Sequence, residues 1–129
     1  MHTAIHAFGR YIPSARITAQ AIATHWNRGT EQASGLGIIE KSVPERDEDT
    51  FTLAWEAAKQ AMEMSDISPE DIQACFVGSE SHPYAVKPTS AMLVSALNLN
   101  PFCHCADLEF ACKAGTAAMQ IVSSMVAGK

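Results

Sequence analysis

Nowhere does the 129-residue sequence hold an apolar run near the roughly 20 residues that a membrane-spanning helix needs. Positive charge is scarce too. Nine basic residues stand against fourteen acidic ones, a net charge of −5, which argues against nucleic acid or an anionic membrane as partner. A basic stretch followed by an apolar one, the mark of an export leader, is missing, because His6 and Arg10 interrupt the N-terminus. The expectation is a cytoplasmic protein. There is no glycine-rich phosphate loop, and no Ser-His-Asp arrangement can be identified. The four cysteines, Cys75, Cys103, Cys105 and Cys112, sit in apolar or strand-like stretches and are expected to be reduced. Cys103 and Cys105 flank His104, but two residues apart on one strand places their Cα atoms about 6.5–7 Å from each other, at the edge of disulfide reach. A zinc site needs two further ligands, and no second Cys or His pair has a suitable spacing. No metal is expected.

What is present suits one α/β domain with a real core: 47% of residues are apolar and 18% charged. In chain order, residues 3–8 read as a short strand closed by Gly9, and residues 10–13 as a loop. Thr18 is a candidate N-cap for a helix to about Trp26. Residues 30–37 are polar and glycine-rich and read as a loop. Residues 36–43 fit either a short strand or an extended loop. The charged run 44–49 reads as a solvated lead-in to a helix capped by Asp49 or Thr50 and ending at Met64. Ser68 and Pro69 open one short helical turn. Residues 74–78 form a buried strand, 79–87 a loop, 88–98 a helix begun by Pro88, 102–108 a strand and 116–127 a final helix. This alternation predicts a layered sheet with helices on its faces, with ligands beyond the carboxyl ends of the strands.

Two side chains fall at such ends. Cys112 occupies a tight strand-to-helix turn near a helix N-terminus, beside Lys113 and among small neighbours (Ala111, Ala114, Gly115). Free N–H groups and the helix dipole favour an anion there, so the thiol should ionise more easily and act as a nucleophile. The bland alternative is a free Cys serving as a small hydrophobe. Glu80 lies two residues past the strand at 74–78, where a carboxylate can serve as general acid or base; the alternative is a solvated loop Glu. His82 either bonds Glu80 or has a structural or solvent role. From Ala114 to Gly128 the last helix carries no charge. A helix apolar nearly all round is normally covered on every side, so another chain covers it or the sequence stops short of its cover.

Five stretches are familiar: residues 9–13 (GRYIP), 35–43 (GLGIIEKSV), 47–50 (DEDT), 77–89 (VGSESHPYAVKPT) and 109–115 (EFACKAG). Through them, and most specifically the last two, the chain resembles the N-terminal part of the thiolase-fold condensing enzymes, and within these the archaeal-type hydroxymethylglutaryl-CoA synthases. The resemblance implies the N-terminal half of an αβαβα layered fold with a mixed sheet, residues 1–129 forming one condensing-enzyme domain truncated before its second half. It implies that Cys112 takes an acetyl group from acetyl-CoA. Glu80, as general acid/base, then removes a methyl proton so that the carbanion attacks acetoacetyl-CoA. Arg28, Gly29 and Lys87 fall where relatives contact CoA. CoA thioesters are substrates, and no cofactor is implied. A homodimer is implied, with an acetoacetyl-CoA thiolase and a small zinc-ribbon/OB-fold protein as partners. The missing half supplies a further His and Asn, so this stretch alone is expected to lack synthase activity. Two other readings remain at this point: a ketoacyl synthase III-like acyltransferase, which would not need Glu80, and a non-catalytic split or scaffold subunit.

Overall fold

Two strands can pair in parallel only if a crossover returns the chain in the same direction, and residues 79–103 provide one for two short strands of mostly small and apolar residues. The computed structural model, which describes residues 3–128, shows that arrangement. Strand β3 (Ala74–Gly78) runs parallel to β4 (His104–Leu108), with Ala74 opposite His104, Cys75 opposite Cys105, Val77 opposite Asp107 and Gly78 opposite Leu108. Contacts divide the chain into two compact units, one of residues 12–48 and one made of the N-terminal residues to 11 together with everything from 49 onward.

In the 12–48 unit, β1 (Ala15–Thr18) pairs antiparallel with β2 (Glu40–Val43). Thr18 ends the strand and caps α1 (Ala19–His25): its hydroxyl accepts the Ala21 N–H at 3.1 Å, as the sequence predicts. The same region departs from the sequence reading twice. Strand β1 was not expected, because four residues are too few to display an alternation. Residues 30–37, expected as loop, contain the one-turn helix α2 (Glu31–Gly35). Its turn is closed by Ser34, whose N–H and hydroxyl both bond the Thr30 carbonyl, at 2.9 and 2.8 Å. Gly37, at φ +69°, then turns the chain out.

The larger unit holds α3 (Thr50–Met64), β3, α4 (Thr89–Ala96), β4 and α5 (Ala114–Ala127). Asp49 rather than Thr50 caps α3. Its carboxylate accepts the Thr52 N–H at 2.9 Å while the Thr52 hydroxyl accepts the Asp49 N–H at 2.8 Å, a reciprocal box. Pro69–Asp71 forms the short helical turn expected after Ser68. Val77, Leu93, Leu99, Ala114 and Ala118 make the buried apolar centre, with α4 and α5 against the β3–β4 pair. All the expected elements from 49 onward are present, with ends shifted by one or two residues.

Residues 3–8 are a correction. They form no strand: among the described residues nothing pairs with them in a ladder. Side contacts fix them instead. The Thr3 hydroxyl meets that of Ser123 at 2.9 Å, and His6 Nε2 meets Asp66 Oδ1 at 2.8 Å. Gly9 lies so near α3 that a Cβ there would fall 1.9 Å from the Ala57 carbonyl oxygen. An open apolar groove of about 910 Å³ runs between residues 3–7, α3, β3 and α5, past Phe76, Ala118 and Met119. On α5 only Ala114 and Ala118 are buried, while Met119, Ile121, Met125 and Val126 are exposed. No helix among the described residues is long and apolar enough to cross a membrane.

Candidate active site

The parallel pairing decides where the two candidate catalytic side chains emerge. Gly78 and Leu108 are opposite each other at the carboxyl ends of β3 and β4, and the Ser79 N–H bonds the Leu108 carbonyl at 3.0 Å. Glu80 leaves one residue beyond that bond and Cys112 four residues beyond Leu108, from the same end of the pair. Gly78 has a second task. A Cβ on it would lie 2.6 Å from the Ala114 carbonyl carbon and the Gly115 nitrogen, so its bare backbone lets the start of α5 close on the end of β3.

Cys112 is an exposed free thiol in the middle of a tight turn, Ala111–Lys113, that runs straight into α5. The Lys113 N–H closes this turn on the Phe110 carbonyl at 2.9 Å. Ala111, immediately before the cysteine, has φ +41°, a conformation costly for a residue with a Cβ. Sequence reasoning gave Ala111 only the role of a small neighbour; nothing in an alanine announces a left-handed backbone. The Lys113 ammonium sits 4.8 Å over the Phe110 ring.

Glu80 is exposed and makes no hydrogen bond or ion pair among the described residues. Its flanks, by contrast, are tied down. Thr50, the first residue of α3, donates its hydroxyl hydrogen to the Ser81 carbonyl at 2.6 Å and lies within 3.3 Å of the Ser79 and Ser81 hydroxyls. The Ser79 hydroxyl also accepts the Ser81 N–H at 3.1 Å. His82 does not reach for Glu80. Its ring is buried, with Nδ1 at 2.9 Å from Thr89 Oγ1 and 3.3 Å from Asp107 Oδ2. Lys87 is exposed later in the same loop, and Arg28 and Gly29 belong to the 12–48 unit, following α1. In that unit the Arg28 N–H bonds the Ala23 carbonyl at 2.8 Å. Neither Cys112, Glu80 nor Lys87 lines the apolar groove.

Asp107 was not singled out from the sequence. Pro88 precedes α4 and has no side chain to cap it, so the carboxylate of Asp107 does so from β4. It accepts the N–H groups of Thr89 at 2.6 Å and Ser90 at 2.8 Å. The available signal was an acidic residue inside an otherwise apolar strand, which must find donors. Burial works to raise its pKa, but the Ser90 and Thr89 N–H groups and nearby His82 outweigh it and hold the carboxyl below its usual range. A depressed folded pKa stabilises the fold above the unfolded value of about 3.9. That contribution is lost as pH falls through the folded value. Asp107→Asn is therefore expected to cost about 2 kcal/mol at neutral pH and to flatten the decline in stability below about pH 4, read by urea denaturation across pH.

The other cysteines are of a different kind from Cys112. Cys75 and Cys105 are opposite each other on the parallel pair. Burial, reinforced by Cys103, Cys105 and Asp107, pushes the Cys75 thiol up to about 11, and burial with Cys105 raises Cys103. All four are free. Among the described residues no group of three or more His, Cys, Asp or Glu side chains is placed to hold a metal ion.

A parallel strand pair packed by helices, with an exposed thiol in the turn before an uncharged helix, is the N-terminal half of a thiolase-like layered fold. OleA of Xanthomonas campestris superposes with a TM-score of 0.81 at 20% identity, over 94% of this chain and 38% of that one. No protein-family model matches the chain. Within the fold, the sequence is a relative of the hydroxymethylglutaryl-CoA synthases and matches their N-terminal part. It is 53% identical over 123 residues to the Archaeoglobus fulgidus protein of that name and 50% identical over 123 residues to that of Methanocaldococcus jannaschii, in each case over 95% of this chain. The chain spans about 36% of the length of these curated relatives.

Proposed function

We propose that this chain carries the acyl-loading part of a hydroxymethylglutaryl-CoA synthase. The observation that carries the reading is the shared exit of Cys112 and Glu80 from the β3–β4 pair, in a chain half identical to enzymes of that name. The Cys112 sulfur, as thiolate, attacks the carbonyl carbon of acetyl-CoA. The C–S bond to CoA breaks, and CoA leaves as a thiolate that takes up a proton. The new thioester makes the acetyl methyl protons acidic enough for the Glu80 carboxylate to remove one. The resulting carbanion bonds to the ketone carbon of acetoacetyl-CoA, whose oxygen takes a proton. Water then cleaves the thioester to Cys112, which releases 3-hydroxy-3-methylglutaryl-CoA and restores the thiol. No cofactor enters this sequence of steps. Lys87, Arg28 and Gly29 are proposed CoA contacts: a lysine and an arginine suit the phosphates.

In this reading the exposed apolar side of α5 packs against the rest of a synthase, and the assembled enzyme is a cytoplasmic homodimer. It would work beside an acetoacetyl-CoA thiolase and a zinc-ribbon/OB-fold protein. The 129-residue chain alone does not complete the condensation. It does take the acetyl group: incubation with acetyl-CoA, followed by peptide mass spectrometry, is expected to place one acetyl on Cys112 and none in Cys112→Ser. An adduct that persists in Cys112→Ser overturns the assignment.

A further inference from the structure

A general base must be held in place, yet among the described residues Glu80 has no side-chain partner of its own, and it sits in a loop whose later residues, 84–88, are all exposed. What holds it lies on either side. Thr50 staples Ser79 and Ser81 to the first turn of α3. On the other side the chain dives, and the His82 side chain, only 3% exposed, reaches Thr89 and Asp107. Asp107 is itself immobilised by the two α4 N–H groups, and it belongs to β4, the strand that leads into the Cys112 turn. His82 thus refers the Glu80 backbone to the strand that carries the thiol.

One feature of the ring is unfavourable. Nε2 is buried without a hydrogen-bond partner. An unsatisfied buried polar atom costs about 1–3 kcal/mol. An apolar side chain of similar volume would escape that cost but would strand the fully buried Thr89 hydroxyl, so what calls for a histidine here is the bond that Nδ1 makes rather than the filling of space.

We infer that His82 is a positioning residue for Glu80: bonded through Nδ1 to Thr89 and Asp107, it fixes the Glu80 loop to the strand preceding Cys112. Two residues along an extended chain span about 7 Å, so a ring that swings free leaves the carboxylate without its nearest fixed point on that side. A misplacement near 1 Å lowers a reaction step about 100-fold. The inference rests on Glu80 being the base, and the test separates the two.

The full chain is treated with acetyl-CoA in D2O. Acetylation of Cys112 and deuterium uptake into the acetyl methyl are then read by mass spectrometry, with amide exchange of residues 79–83 followed in parallel. In His82→Ala, acetylation is expected within about twofold of the parent, while methyl exchange falls about 100-fold and amide exchange of the loop quickens. Thr89→Val, which removes only the hydroxyl partner, should move both in the same direction. His82→Asn, which places an N–H near the position of Nδ1, should restore most of the methyl exchange.

Parental methyl exchange in His82→Ala would overturn the inference. So would failure of His82→Asn to restore exchange, which would assign the effect to ring volume. Loss of amide protection throughout β3 and β4 in both His82→Ala and Thr89→Val would make the contact a general support of the fold and overturn it too. An acetylated parent chain that takes up no deuterium would instead remove Glu80 as base, and the positioning role with it.

Discussion

Glu80→Gln is expected to leave the acetylation of Cys112 intact and to abolish exchange of the acetyl methyl protons. The two steps use different atoms. Thioester formation needs only the sulfur and the acyl carbon, whereas proton removal needs a base with a free lone pair and room for the proton. Glutamine keeps the length and shape of glutamate but cannot take that proton. Loss of a positioned general base costs about 10²–10⁴-fold. Because Glu80 is exposed and unpaired among the described residues, the substitution should change stability by no more than about 0.5 kcal/mol. A fall in exchange therefore cannot be assigned to unfolding. Parallel loss of acetylation and exchange would mean that Glu80 supports the Cys112 turn instead.

Gly78→Val is expected to unfold most of the larger unit. The added Cβ would collide with the backbone of Ala114 and Gly115 at 2.6 Å, and backbone cannot turn aside as a flexible side chain can. Either α5 withdraws from β3 or the strand shifts in its ladder, and both expose the Val77–Ala114–Ala118 centre. The cost should exceed about 3 kcal/mol, the upper end of ordinary overpacking, read as a lower urea midpoint. Gly115→Ala is the matched control. A Cβ at Gly115 meets nothing within 4 Å, and the residue lies in the first turn of α5. That change should be neutral or should stabilise by up to about 1 kcal/mol. The contrast tests whether close approach, rather than glycine as such, holds the helix at the strand end.

The residues differ in how plainly they announced these roles. Strand β3 and helices α3 and α5 were legible because each combines a long enough apolar pattern with a boundary: Gly78 for β3, a cap at Asp49 or Thr50 for α3, and the uncharged run after Lys113 for α5. The exit of Glu80 and Cys112 at strand ends followed from the same punctuation. Strand β1 was not legible, since Ala15–Thr18 is four residues and its partner lies more than twenty residues on; only the ladder defines it. Residues 3–8 misled for the opposite reason. They have the composition of a strand, but composition cannot supply a neighbour. The His82–Thr89–Asp107 cluster is invisible to any local pattern because its members come from a loop, a helix start and a strand up to twenty-five residues apart. An acidic residue in the otherwise apolar β4 was the one clue, and it pointed to a need for donors without saying which.

The central claim is that the Cys112 sulfur and the Glu80 carboxylate address one small space beyond the ends of β3 and β4. The most direct measurement replaces Glu80 with cysteine and treats the folded chain with a short bismaleimide, and peptide mass spectrometry then finds which thiols are joined. The account predicts a bridge between residues 80 and 112. Single modification of each thiol with no bridge between them would contradict it.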